Sequence, residues 1–319
     1  MNLPYGARLV SIAAASFFAV NLAAGAVSLA LERIFRRRFE DSNPRRAAAL
    51  MLALRLAPGA LALAAVAALC VPSFLVLEPA GNSESASWAC LIMASMGVAA
   101  AACGAVRGAG AWLGFWRRFR HFKSRRETVR VGSRRVPVEI VESRRPWLAL
   151  IGVARPRLVA TRAVLRALKP AELDVALRHE RAHAEFRDNA KRLLMAMAPA
   201  PIPFVVRSRG FEASWARYVE RAADDRAVAG SARRSFALAA ALVRVARMTA
   251  DEPQSPLALL LGDADQLAAR VDRLLRPAPP TEVPAGPRPI LAVSAILLMA
   301  GSSPAARGAL HRASGARGE

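Results

Sequence analysis

Residues 9–31, LVSIAAASFFAVNLAAGAVSLAL, lie between Arg8 and Glu32 and contain no charged side chain. About 20 consecutive apolar residues are enough for a helix to cross the hydrocarbon core of a bilayer. A secretory signal peptide is the alternative, but its apolar core is typically only about 7–15 residues long. The stretch therefore predicts an uncleaved transmembrane helix.

Three further uncharged runs occur, at residues 56–77, 86–106 and 289–306. The first two are as long as a membrane span requires, whereas the last is diluted by Pro, Gly and Ser. We expect four transmembrane helices, of which three form a membrane domain at 1–116 and the fourth covers 287–306. Residues 117–286 should form a separate domain, and residues 307–319 a short external tail.

The charges between the uncharged runs predict how the helices are oriented. The chain has 46 Lys and Arg against 24 Asp and Glu, a formal net charge of +22, yet 54% of its residues are hydrophobic. This hydrophobic content excludes intrinsic disorder. Cytoplasmic loops are enriched in Lys and Arg; the first loop is rich in Arg, whereas residues 78–85 carry two acids and no base. We therefore expect both termini outside and residues 117–286 in the cytoplasm.

The positive charge has a second interpretation, because a high net charge is also typical of nucleic-acid-binding proteins. Residues 107–288 hold 35 basic and 18 acidic residues, which is most of the excess. Helix orientation and attraction to anionic lipid headgroups explain that excess, and no nucleic-acid-binding motif is recognisable. We expect the lipid bilayer to be the partner of these charges, with Arg55 and Arg107 reaching the headgroups from the inner ends of their spans.

The cytoplasmic stretch begins with a β-like pattern. Short β-branched runs separated by turn residues predict strands. Four such runs occur, at 128–131, 136–141, 147–153 and 157–161. The first two flank Gly132 and predict a hairpin, and residues 129–141 are a candidate edge for pairing with an extended substrate peptide.

A helical pattern follows the strands. Pro170 is a suitable first helical residue, and apolar residues then repeat at helical spacing without a breaker until Pro199. Further helices are expected at 212–228, 234–248 and 263–275. The expected fold is therefore a mainly α integral membrane protein with four transmembrane helices and a cytoplasmic α+β domain.

The first of these helices contains His179-Glu180-Arg181-Ala182-His183, an H-E-x-x-H pattern. Residues four apart lie on one face of a helix, so the two imidazoles can bind a single Zn²⁺. Glu180 would then lie beside the metal's water and act as the general base. Two solvated histidines on an amphipathic helix are the alternative, but with four His in the whole chain a chance match is a poor explanation.

A catalytic zinc site needs a third protein ligand. Glu220, on the second predicted helix, is the expected one, with Glu185, Asp188 and Glu212 as alternatives. A metal-bound His usually donates its other ring N–H to a carboxylate. Asp224 lies one helical turn after Glu220 and is predicted to be such a partner. Whether Asp188 ties the helix end to its surroundings or is solvated stays open.

The combined motifs resemble the gluzincin-type membrane metallopeptidases, and most closely the BlaR/MecR penicillin-receptor antirepressors. The resemblance covers residues from about 152 to 275. Its motifs are Gly152-x-x-x-Pro156, His179-Glu180-x-x-His183 with Asp188, Glu220-x-x-Ala223-Asp224, and Arg270-x-x-x-Leu274-Leu275. HtpX-like and CAAX-prenyl peptidases share the two metal motifs and are the nearest competitors.

The resemblance implies a zincin-like, zinc-dependent endopeptidase at the inner face of a bacterial cytoplasmic membrane. Its substrate would be a protein such as a BlaI-like transcriptional repressor in a signalling or resistance pathway. An HtpX-like quality-control protease and a zinc-stabilised membrane transducer that never cleaves its partner are the alternatives. Two departures limit the resemblance. Because only residues 307–319 follow the last predicted span, we expect no penicillin-binding sensor domain, and position 181 is Arg where the family usually has an uncharged residue.

Overall fold

The computed structural model describes residues 3–38, 43–78, 86–120, 124–131, 134–143, 146–200, 208–250 and 264–276. Over these ranges the protein is mostly helical, with one small mixed sheet. The predicted fourth span and the predicted external tail lie outside the described residues.

Three apolar helices are long enough to cross a membrane, which confirms the first three predicted spans as membrane-length helices. They are α1 (Tyr5–Arg38), a rod made of α2 (Pro44–Ala65) and α3 (Val71–Leu77) joined by a π-helical turn at Val66–Cys70, and α4 (Trp88–Arg120). Each continues beyond its uncharged run. The helices are therefore longer than a bilayer core requires, and their ends are available for contacts with the rest of the chain.

The sheet contains the four predicted strands. These are β1 (Ser124–Val131), β2 (Arg134–Val141), β3 (Leu148–Ile151) and β4 (Arg157–Thr161), in the spatial order β1-β2-β4-β3. β1 pairs antiparallel with β2, β2 parallel with β4, and β4 antiparallel with β3. The prediction that residues 129–141 provide the free edge is wrong for β2, because β2 is paired on both sides; the edges are β1 and β3.

In the described part of the chain, six further helices surround the sheet or connect it to the membrane-length helices. They are α5 (Arg162–Ala167), α6 (Pro170–Phe186), α7 (Asp188–Met197), α8 (Ser208–Val228), α9 (Ala232–Ala250) and α10 (Ala264–Leu275). The prediction of one continuous helix from Pro170 to Pro199 is wrong. Arg187 adopts a left-handed conformation, with φ of 55°, which ends α6 and starts α7 in a new direction.

Three apolar clusters hold the described elements together. One joins a face of the sheet to α6, and its buried members include Val138, Ile140, Leu158, Leu173 and Leu177. A second joins α2 to α7 and α8, and includes Ala47, Met51, Leu54, Met195, Phe211, Trp215 and Val219. The third joins α6, α8, α9 and α10. Burying one large apolar side chain contributes about 1.5–3 kcal/mol. Helix α8 therefore packs between the membrane-length helix α2 and the helix α6.

The two ends of the membrane-helix bundle differ in charge and in contacts. At one end Arg8 of α1 pairs with Glu78 after α3, at 2.8 Å. At the other end Arg45 of α2 lies over the ring of Phe186 in α6, and Ser214 of α8 donates a hydrogen bond to Glu32 of α1. The Arg-rich end of the bundle is thus the end on which α6 and α8 pack.

Three polar side chains, one from each membrane-length helix, bind the chain immediately after α7. Asn21 donates to the carbonyl of residue 200, Arg55 to those of residues 198 and 199, and Arg107 to that of residue 198, all at 2.8–2.9 Å. Asn21 and Arg55 are buried, with exposures of 0% and 1%. The expectation that Arg55 reaches lipid headgroups is wrong, because this buried guanidinium finds its acceptors in the protein backbone.

Candidate metal centre

Helix α6 is anchored at its first turn, which fixes the position of the residues further along it. Pro170 occupies the first turn, where the missing N–H costs nothing. Glu172 accepts a hydrogen bond from the backbone N–H of Lys169 at 3.0 Å and binds Arg244 of α9 through two bonds of 2.9 and 3.1 Å. The helix is thereby tied both to its own cap and to α9.

His179 and His183 lie one turn apart on α6 and meet Glu220 of α8. Their Nε2 atoms are 3.1 Å apart. Oε2 of Glu220 is 3.3 Å from Nε2 of His179, and Oε1 is 3.7 Å from Nε2 of His183. These three residues form a group that could hold a metal ion. Two of the alternative ligands point elsewhere: Glu185 pairs with Arg226 at 3.0 Å, and Glu212 is exposed.

The outer nitrogens of both imidazoles face buried carboxylates. Nδ1 of His183 is 2.9 Å from Oδ2 of Asp188, and Nδ1 of His179 is 3.0 Å from Oδ1 of Asp224. The first contact is a hydrogen bond; the second has ion-pair distance but not the linear geometry of one. In the neutral imidazole that a metal ligand requires, with Nδ1 as the donor, each Nε2 would present its lone pair to an ion held between the two rings and Glu220. Asp188 therefore orients His183, which decides the question left open by the sequence.

Arg270 of α10 connects Glu220 and Asp224, and sequence reasoning missed this role. Its Nε and Nη2 donate to the two oxygens of Asp224 at 3.0 and 2.7 Å. Its Nη1 lies 3.0 Å from Oε2 of Glu220. Such a two-bond guanidinium–carboxylate contact fixes both position and orientation. The signal available in the sequence was only the occurrence of Arg270 in a motif of the resemblance.

The charges of the site are set by these contacts more than by burial. Burial lowers the pKa of His179, but Asp224 and Glu220 outweigh it and raise that pKa to about 10. Burial acts to raise the pKa values of Glu220 and Asp224, yet His179 and Arg270 hold both below their usual range. At neutral pH both carboxylates are therefore ionised and can attract a cation.

Glu180 lies on the same helix, beside the edge strand β3. Its Oε2 accepts a hydrogen bond from the N–H of Leu150 at 2.9 Å. Burial raises the pKa of Glu180, while the nearby His183 and His179 act to lower it. A carboxyl group whose pKa is raised towards neutrality is better matched to accept a proton at working pH. The edge next to the predicted base is thus β3, which corrects the expected edge at 129–141.

The strand β3 is itself held by the start of α7. Nδ2 of Asn189 donates to the carbonyls of Leu150 and Gly152, at 3.1 and 3.0 Å. Gly152 has φ of 120°, and a Cβ there would lie 2.6 Å from the carbonyl oxygen of Arg155. Only glycine fits this turn without strain. The break at Arg187 therefore places Asp188 against a histidine and Asn189 against the strand edge.

A cleft lies between α6 and the sheet, lined in part by Leu150, whose N–H binds Glu180. Its first hollow, of about 380 Å³, is lined by residues that include His183, Gly152 and Asn189. Its second hollow, of about 420 Å³, lies over β2 and β4. Leu150, Pro156 and Ala184 line both hollows, so the two adjoin next to the residue that binds the predicted base.

Comparison with known proteins does not assign the chain to a family: no protein-family model matches it, and neither a curated protein nor a solved structure is significantly similar. Any functional assignment therefore depends on the geometry of the site. The structure brings the five predicted site residues, His179, Glu180, His183, Glu220 and Asp224, into one region between α6, α8 and β3.

Proposed function

We propose that the protein is a membrane-bound, zinc-dependent endopeptidase that cleaves a protein substrate at the cytoplasmic face of the membrane. One observation carries the proposal: three metal-binding atoms converge beside a carboxylate that lies at a strand edge. A metal site that serves only structure has no use for a base in that place and closes its fourth position with another protein ligand. A transducer that never cleaves its partner is therefore the weaker alternative.

Zinc fits the donor set. Two imidazole nitrogens and one carboxylate are the protein ligands of a common class of catalytic zinc site, with bonds of about 2.0–2.2 Å. A tetrahedron with such bonds has edges of about 3.3–3.6 Å. The two Nε2 atoms are 3.1 Å apart and lie 3.3 and 3.7 Å from different oxygens of Glu220, and one ligand atom from each of the three residues lies within 4.8 Å of the others. His179, His183 and Glu220 would hold the ion and leave one position open.

Bound zinc would supply Lewis acidity, polarising the scissile carbonyl and making water a stronger nucleophile at neutral pH. The protein residues supply the proton transfer and the orientation. Glu180, held by the N–H of Leu150, accepts a proton from water and passes it to the leaving amine. Asp188 and Asp224 keep the imidazoles turned so that both Nε2 atoms face Glu220.

The proposed location follows from the membrane-length helices and their charges. The Arg-rich end of the bundle is the end that contacts α6 and α8, and basic segments favour the cytoplasmic side. We therefore place the metal centre in the cytoplasm and both termini outside, with the fourth span at 287–306. The resemblance to the BlaR/MecR antirepressors suggests a bacterial inner membrane and a repressor as substrate.

The proposal is tested in cells that express either the wild type or Glu180→Gln at matched levels, by mass spectrometry of all protein termini. The variant keeps the ligand set, so it should bind zinc but produce no cleavage. Termini that occur only with the wild type support the proposal. A single soluble repressor among them would favour the antirepressor function, and many membrane proteins would favour quality control. Identical termini in both strains would contradict peptidase activity.

A further inference from the structure

We infer that the cleft beside Glu180 binds an acidic stretch of the substrate polypeptide on one side of the scissile bond. This inference rests on the proposed function and adds the chemistry by which a substrate is selected. It concerns the second hollow, the one over β2 and β4, whose charged residues take no part in the metal centre. We call this hollow the basic hollow.

The basic hollow is lined by arginines from four different elements. Arg126 comes from β1, Arg135 from β2, Arg157 from β4 and Arg181 from α6. Four cations from separate elements repel one another, so their convergence costs free energy unless an anion is bound. Because the guanidinium fork matches the two oxygens of a carboxylate, an acidic side chain is a suitable occupant.

The charge of the basic hollow is not balanced by its own lining. Among the described lining residues one is acidic: Glu139 is 8% exposed and pairs with Arg157 at 2.8 Å. Arg126, Arg135 and Arg181 are exposed and form no ion pair with a carboxylate among the described parts of the chain. An ion pair of zero net charge and three further cations leave a net charge of about +3 facing the cleft.

The basic hollow adjoins the predicted catalytic residues. Arg181 follows Glu180 directly on α6, and Ala184 and Leu150 line both hollows. A peptide that lies along the cleft at Glu180 therefore passes Arg181. Arg181 is also the residue of the H-E-x-x-H pattern at which this sequence departs from the family it resembles. That departure therefore lies on the proposed path of the substrate.

The placement of the basic hollow favours a polypeptide over a lipid headgroup. Its lining comes from the sheet, α6 and the turn before β4. The membrane-length helices instead contact the domain mainly through α7 and α8, and through Phe186 at the last residue of α6. Among the described residues, none of the lining residues belongs to α1–α4, so the basic hollow does not open onto the bundle that would lie in the bilayer.

The test uses full-length Glu180→Gln in nanodiscs of phosphatidylcholine, so that binding is measured without cleavage. Fluorescence anisotropy compares a labelled Glu/Asp-rich decapeptide with the corresponding Gln/Asn and Lys peptides. The acidic peptide should bind most tightly and lose affinity as salt rises. Adding Arg135→Glu or Arg181→Glu should weaken binding by about tenfold or more, as expected for close charge pairs across an interface.

Arg166→Glu is the matched control, because Arg166 is exposed on α5 and the change in net charge is the same. It should leave affinity unchanged within about twofold, since screened charges outside the cleft contribute little. Equal weakening by Arg166→Glu and Arg181→Glu, or equal binding of all three peptides, would overturn the inference. Competition by glycerol 3-phosphate, at concentrations at which chloride does not compete, would also overturn it, because a lipid headgroup would then be the better occupant.

These outcomes separate the inference from the proposed function. Acidic-peptide binding that depends on Arg181, in a protein whose wild type generates no new termini in cells, would support the basic hollow while the peptidase proposal fails. Cleavage in cells combined with no preference for the acidic peptide would leave the peptidase proposal standing and refute the acidic-substrate inference alone.

Discussion

Replacing Asp224 by Asn isolates what a charged partner of His179 contributes to metal binding. Asp224 is fully buried, its Oδ1 lies 3.0 Å from Nδ1 of His179, and Arg270 binds both its oxygens. Asn has nearly the same shape but no charge. It can therefore fill the space without stabilising a metal-bound imidazole or neutralising Arg270.

The magnitude follows from the two contacts that are lost. Carboxylates that orient metal-bound histidines typically contribute about 10–100-fold to metal affinity, which corresponds to about 1.4–2.7 kcal/mol. Removing one charge of a buried ion pair costs about 3–5 kcal/mol of folding free energy, because the other charge stays buried. We therefore expect Asp224→Asn to bind zinc about 10–100-fold more weakly and to unfold at a lower temperature in its metal-free form.

The assay is a zinc titration of the purified protein in nanodiscs, in competition with a chelator of known affinity. Asp225→Asn is the matched control, since Asp225 is the next residue and pairs with Arg273 at 2.6 Å. It should change zinc affinity by less than about twofold, because Asp225 is itself exposed and its charge is screened by solvent. Unchanged affinity in Asp224→Asn, or an equal loss in both variants, would refute the role assigned to the buried carboxylate.

The remaining predictions concern pH and the contact between the membrane helices and α7. Because the pKa of His179 is raised to about 10 in the metal-free protein, zinc must displace a proton from His179 at any lower pH. The zinc affinity should therefore rise about tenfold per pH unit between about pH 7 and 9. A zinc affinity that does not change with pH in titrations at successive pH values would contradict this. Arg55→Met removes the donor to two backbone carbonyls and should destabilise the protein by about 1–3 kcal/mol, so an unchanged denaturant midpoint would count against the contact. Gly104→Ala should also destabilise the protein, because its Cβ would lie 2.4 Å from the carbonyl oxygen of Met197. Gly114→Ala is the control: nothing lies within 4 Å of its Cβ, so it should be neutral or slightly stabilising. Equal melting temperatures for the two variants would refute the close approach of Gly104 to Met197.

The features that sequence analysis predicted correctly are those set by local pattern. Uncharged runs identified the three membrane-length helices, and β-branched runs identified the four strands. The spacing of His179 and His183 placed both on one helical face, because four residues make about one helical turn. Each of these predictions needs only neighbouring residues.

The features that were missed depend on residues far apart along the chain. No Gly or Pro marks the helix break at Arg187 in the sequence. The contacts found at this break are those of Asp188 with His183 and of Asn189 with β3, which are not visible in a local pattern. Two further contacts join segments that are far apart in the sequence, so a local pattern cannot predict them. These are the hydrogen bonds from Arg55 to the chain after α7 and from Arg270 to Asp224. For the same reason the strand order, and hence the edge beside Glu180, could not be derived from the strands alone.

The metal content and coordination of the purified protein test the central claim most directly. X-ray absorption at the zinc edge should show one zinc ion per chain with two imidazole nitrogens at about 2.0–2.1 Å and oxygen ligands at about 2.0–2.2 Å. Glu220→Ala should lose occupancy, because it removes one of the three converging ligands. Absence of stoichiometric metal in the wild type, sulfur among its ligands, or an unchanged spectrum in Glu220→Ala would contradict the proposed metal centre.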